Sequence, residues 1–313
     1  MSAVIMKEKP HTVTKKHLRN SLLELYRFLF AMWVVWYHGY FLFSNRFFDH
    51  GYLAVEFFFI LSGFYFLKGM DKYKDKPFFS GLGKMLWDKV KPLGFPFVVG
   101  LVFVVWQGVL EAKPVLMGYL WYIPIMLLAF ALIYTIRRLV KGRLPFVISL
   151  AAIAVVSYLI LYIPIVEQLG VARGLGAVSL GVLISLIPKR IFKIKMINLN
   201  AIFVVLLFFT VLLLAFLPKE NLISEYFLVL LLMPALIYFT STLSFNFKFF
   251  NFLGSLSFLI YSYQCVLRII KAYFNPKQYW LFIILIGMVL LTKLCYFLIK
   301  RAKNANKSVF CKV

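Results

Sequence analysis

Cysteine is scarce, three residues in 313, and the three are badly spaced for covalent or metal chemistry. Cys265 and Cys295 sit inside apolar runs and Cys311 near the end, an odd count without the paired spacing that a disulfide framework or a zinc site requires. The sequence thus supplies no metal site. No Walker loop and no Gly-x-Gly-x-x-Gly fingerprint occurs, so P-loop and dinucleotide chemistry have no foothold. Charge is sparse, at 15% of residues, and neither a low-complexity linker nor an appended soluble domain interrupts the chain. A single domain is therefore expected to carry the whole function.

What is there is hydrocarbon. Hydrophobic residues make up 63% of the chain and aromatics 19%, with a mean hydropathy of +0.89, the composition of an all-α, polytopic membrane protein. Apolar runs at about 22–43, 52–68, 92–111, 117–136, 145–165, 171–187, 199–217, 222–240, 252–271 and 279–299 predict about ten transmembrane helices. The runs are continuous rather than alternating, which argues for helices over a barrel. Ahead of them lies a basic arm, residues 1–20, and behind them a basic tail, residues 300–313. The first run is too long for a cleaved signal peptide and lacks a small-residue cleavage site, so it is expected to remain as an anchor.

The formal charge of +24 acquires a meaning once the runs are placed, because the basic residues gather in alternate connections. Lys7, Lys9, Lys15, Lys16 and Arg19 precede the first run, Lys68 to Lys91 fill the second loop, Arg137 to Arg143 the fourth and Lys189 to Lys195 the sixth. With Lys248 and the tail, about 26 of the 35 lysines and arginines fall on one side, which predicts that both termini are cytoplasmic. Topology therefore accounts for a pI near 9.9, and no nucleic-acid partner is expected. The same loops would attract anionic membrane lipid or a phosphorylated cytosolic cosubstrate.

Ionisable residues within the apolar runs are the candidates for chemistry. Arg27 and His38 stand eleven residues apart, on one face of the first helix and about 16 Å apart along it, with no charge between them. Glu56 lies in the next run, GYLAVEFFFILSGF, without a local charge partner. Counted inward from the outer loop, Glu56 lies below Gly51 about as far as His38 lies below Ser44, which predicts that the two side chains are level. A carboxylate bonded to one imidazole nitrogen leaves the other free to take a hydroxyl proton, a general-base dyad. The bland alternatives are an Arg27 that snorkels or pairs with Glu24, an interfacial His38, and a buried ion pair that only fixes helix register.

These residues also carry a resemblance. Arg27 and His38 with ten residues between them, followed by the Gly51–Phe64 run, are similar to the opening signature of acyltransferase family 3, integral-membrane acyltransferases that commonly modify bacterial cell-surface glycans. Leu120 to Ile123 resembles the family's Trp-Phe-Leu element, Arg173 before Gly181 its Arg-containing helix, and LGSLSFLIYSYQ, residues 253–264, its Leu-Gly-x-x-Ser-Tyr-x-x-Tyr-Leu-x-His segment. Two positions depart: Phe258 stands where tyrosine is common, and Gln264, which binds but does not titrate, where histidine is usual.

The resemblance implies transfer of an acetyl group from acetyl-CoA to a sugar hydroxyl of a glycan or glycolipid acceptor, in a bacterial plasma membrane. It implies catalytic roles for His38 and Glu56 and acceptor contacts from Trp121, Tyr122, Arg173, Tyr261 and Gln264, while the charge of the basic loops adds donor binding by Lys84, Lys89 and Lys91, nearest in sequence to these helices, and by Arg27 as the donor enters between them. Trp121, Tyr122 and Arg173 also suit an outer interfacial belt. The rival reading is a glycan or lipid-intermediate transporter with a proton path through the same ionisable residues. No inverted repeat with matching broken helices supports it.

Overall fold

The structure, a computed structural model, describes residues 20–38, 51–110, 121–161, 170–188, 197–215, 222–274 and 277–310. Among these residues there is no strand, and twelve α-helices follow one another: α1 (Ser21–His38), α2 (Ala54–Met70), α3 (Phe78–Val90), α4 (Gly94–Leu110), α5 (Tyr122–Leu139), α6 (Arg143–Leu161), α7 (Gly170–Ser185), α8 (Ile197–Ala215), α9 (Leu222–Phe227), α10 (Met233–Thr242), α11 (Lys248–Phe274) and α12 (Gln278–Phe310). In hydrocarbon every peptide group must find its partner within its own segment, and the helix satisfies that locally. A helix lies in each of the ten apolar stretches marked by the sequence. By length and composition, five described stretches suffice to cross a membrane: Gly51–Tyr73, Tyr122–Leu139, Arg143–Leu161, Ser224–Thr242 and Tyr279–Ile299. α1 is not among them, because Glu24, Arg27 and His38 lower its hydropathy.

The centre of the bundle is a row of four helices, α7, α2, α1 and α11. α2 runs antiparallel to α1, with Phe57 stacked on Phe30 at 4.0 Å and Tyr52 against Tyr37 at 5.8 Å. It runs parallel to α7, and those two meet backbone to backbone: a Cβ on Gly63 would overlap the carbonyl of Val178, and one on Gly181 the carbonyl of Ile60. Small residues at such a crossing let two membrane helices gain the dispersion contacts that drive their association. On the other flank α1 packs along α11, with Glu24 seated against Gly254. α5 and α6 cover α7, α4 and α12 cover α11, and α8 packs on α10.

The polar start of α1 is fixed by its own side chains. Asn20 caps the helix, its Oδ1 accepting the Leu22 N–H at 3.0 Å, while its amide donates to the Thr240 and Leu243 carbonyls at 2.6 and 2.8 Å. Ser21 Oγ accepts the Phe247 N–H at 2.7 Å, so the α10–α11 connection is tied to the beginning of α1. Three features go beyond the sequence reading. The second loop contains the amphipathic helix α3, α9 joins α10 through a π-helical turn (Leu228–Leu232) just before Pro234, and α12 continues to Phe310 through the expected tail. Proline lacks the N–H that an α-helical ladder needs, and the wider turn absorbs the break.

Candidate active site

A cavity of about 820 Å³ enters the bundle among α1, α2, α5 and α11, with α3 beside its mouth. α2 contributes Phe58, Leu61, Ser62, Tyr65 and Lys68, positions recurring every three or four residues along one stripe. α1 contributes Asn20, Glu24 and Arg27, and α11 contributes Ser257, Phe258 and Tyr261. The mouth is charged, with Lys68, Asp88 and Lys89 around it. From Gly69 to Phe58 the wall is about 16 Å deep along the α2 axis. The inner end carries hydroxyls: Ser62 Oγ and Tyr122 Oη share a hydrogen bond of 3.0 Å, and the Tyr261 ring meets Tyr122 edge-on at 5.7 Å.

Two cations of different character line this space. Arg27 donates through Nη1 to both oxygens of Glu24, at 2.9 and 3.2 Å, so the local pairing open to it in sequence exists and leaves the guanidinium on the cavity wall. Lys89 instead has its Nζ 5.3 Å from the Phe130 ring and 5.8 Å from the Phe66 ring, two rings stacked 4.3 Å apart. Such faces attract a cation without neutralising it. Burial pushes the Lys89 ammonium below the ordinary lysine range, the Lys72 charge acts the same way, and Asp88 opposes both. Asp88 accepts hydrogen bonds from Lys72 at 2.8 Å and from the Tyr73 hydroxyl at 2.7 Å, which hold its carboxyl well below the usual carboxylate range. Lys84 is exposed and reaches Asp88 at 3.5 Å, and Lys91 is exposed; neither lines the cavity.

Glu56 occupies the opposite face of α2, about 170° round the helix from the lining stripe. There its Oε1 accepts a hydrogen bond of 2.7 Å from Arg173 Nε across the α2–α7 contact. The guanidinium also lies 5.2 Å from the Tyr52 ring, and Tyr52 is hydrogen-bonded to Glu225. Glu56 Oε2 is buried with no hydrogen-bond partner among the described residues. The charge partner that the sequence does not supply locally is therefore brought in by α7.

His38 closes the described part of α1, and its side chain lies outside the described residues. The Tyr37–Tyr52 and Phe30–Phe57 contacts set a register in which the Glu56 backbone is level with Ala31 or Met32, about 10 Å below that of His38 along the axis. The sequence count made them level. It differs because the turn Gly51–Leu53 stacks directly on Tyr37, so α2 starts beside the end of α1. The Glu56 side chain, tilted toward the α2 N-terminus, leans back toward the His38 level.

Of the remaining candidates, Tyr122 and Tyr261 line the cavity, and Trp121 lies against Phe59 at 5.9 Å beneath Gly170. Gln264 is buried in α11, one turn beyond Tyr261. Ser62 and Asp88 line the cavity though nothing in the sequence marks them, and the second basic loop holds α3. The spacing of Phe78, Leu82, Met85 and Lys89 was the available signal for that helix. Among the described residues no three His, Cys, Asp or Glu side chains gather as a metal site would need.

Neither a curated protein nor a solved structure matches the chain. A family model described as an acyltransferase domain matches residues 20–300, nearly the whole chain and every element of the cavity. Together with its apolar helices, this match assigns the chain to acyltransferase family 3, as an integral-membrane acyltransferase.

Proposed function

We propose that the protein transfers an acetyl group from cytosolic acetyl-CoA to a sugar hydroxyl of a surface or lipid-linked glycan, in a bacterial plasma membrane. The observation that carries this reading is the lining of the cavity: lysines at the mouth, and Arg27 with the Ser62, Tyr122 and Tyr261 hydroxyls deeper in. A CoA thioester has the same order, phosphates at one end and a neutral polar arm toward the reactive carbonyl. With ten crossings and a cytoplasmic basic end, the mouth opens where the donor is made. Lys89 and Lys68 meet the adenosine phosphates, Arg27 meets the pyrophosphate or the first pantetheine amide, and Lys84 and Lys91 add long-range attraction.

His38 acts as general base toward the acceptor hydroxyl, and Glu56, held on one oxygen by Arg173, orients that base with the other. Trp121 and Tyr122 flank the acceptor side. The test is transfer from labelled acetyl-CoA to envelope glycans in membranes holding wild-type protein or an equally abundant His38→Ala variant. Label should appear with wild type only, the variant losing at least 10²-fold. Wild-type membranes that label no acceptor, across a fair set of acyl donors, would return the protein to the transport reading.

A further inference from the structure

We infer that Gln264 binds the acyl oxygen at the inner end of the cavity and stabilises the charge that develops there; this rests on the acyl-transfer reading above. α11 lends Ser257, Phe258 and Tyr261 to the cavity wall. Gln264 follows Tyr261 by three residues, on the same side of the helix and about 4.5 Å further from the mouth. It is only 4% exposed. Neither its Nε2 nor its Oε1 has a hydrogen-bond partner among the described residues. Its neighbour Tyr263 bonds Thr292 of α12 at 2.7 Å and so points elsewhere. A buried primary amide without partners is unfavourable for folding, and such groups call for an explanation in ligand or catalysis.

The chemistry has a place for it. The acceptor oxygen bonds to the thioester carbonyl carbon, the carbonyl π pair moves onto oxygen, and the base takes the hydroxyl proton. The pair then returns, the C–S bond breaks, and the CoA thiolate leaves with that proton. Between the two steps the former carbonyl oxygen carries a full negative charge, and an N–H aimed at it bonds more strongly than it does to the neutral thioester. Donation needs no titration, so glutamine serves at this position.

Gln264→Met keeps the volume and removes the donor. The expected result is an unchanged or higher unfolding temperature in detergent, since an unpaired amide gives way to an apolar chain. KM for acetyl-CoA should stay near wild type while kcat falls about 10²- to 10³-fold. Gln264→His, which retains an N–H, should recover at least about tenfold of that loss, as expected for a restored donor. Wild-type kcat in Gln264→Met overturns the inference, and so does a lowered unfolding temperature, which would show that the amide serves packing. Wild-type protein that transfers no acyl group fails the acyl-transfer reading itself, a distinct outcome.

Discussion

Glu56 and Arg173 stand 117 residues apart in the chain and 2.7 Å apart in the fold, and removing one partner is predicted to be worse than removing both. Arg173→Met strands a buried carboxylate and should destabilise by about 3–5 kcal/mol, whereas the double variant with Glu56→Gln should recover much of that. Unfolding of the four proteins in detergent checks it; equal losses in the single and double variants would remove the coupling. Lys89 supports a prediction in pH. Because burial lowers its pKa below the ordinary lysine value of 10.5, donor affinity should be full below the lowered value and fall as pH rises through it. Lys89→Arg should flatten that alkaline limb, and Lys89→Met should weaken acetyl-CoA binding about tenfold, or about 1.4 kcal/mol, at neutral pH. Binding titrations across pH give both. At this scale the sequence made Glu56 conspicuous by the absence of a local partner. It had no means of naming Arg173, because that pairing exists only once α7 lies along α2.

Among the elements, glycine substitutions should separate helices held backbone to backbone from helices that are merely exposed. Gly181→Ala forces a methyl into the Ile60 carbonyl of α2 and should destabilise by about 1–3 kcal/mol. Gly83→Ala on the exposed side of α3 meets nothing within 4 Å and should stabilise by about 0.5–1 kcal/mol through helix propensity. Thermal unfolding of the two variants should move in opposite directions, and a shared direction would contradict the packing described. The α3 helix shows how legibility was lost. Its apolar spacing was present, but the density of Lys84, Lys89 and Lys91 drew attention to charge, and charge alone does not distinguish a solvated loop from a helix lying along a membrane surface. The sequence also grouped those three lysines, whereas only Lys89 is turned toward the cavity.

For the whole molecule, the all-helical fold was legible because hydrocarbon allows so few backbone solutions. The cavity was not, since it is made by side chains of α1, α2, α3, α5, α10 and α11, which the sequence scatters from Asn20 to Tyr261. Orientation can be checked directly. In a background with Cys265, Cys295 and Cys311 replaced by Ser, a single cysteine at the exposed Lys141 should react with an impermeant maleimide in inside-out vesicles and not in intact cells. The reverse pattern would place the cavity mouth on the outer side and exclude a cytosolic donor. One further consequence concerns α2, whose opposite faces meet the cavity and Arg173. A residue inserted between Glu56 and Phe58 would turn the remainder of the helix by about 100°, so the cavity wall and the ion pair could not both survive. The segment has a single admissible helical phase, and access to the cavity cannot be controlled by rolling it. Any gate must be built from the helices around it, of which α3 is the one already standing at the mouth.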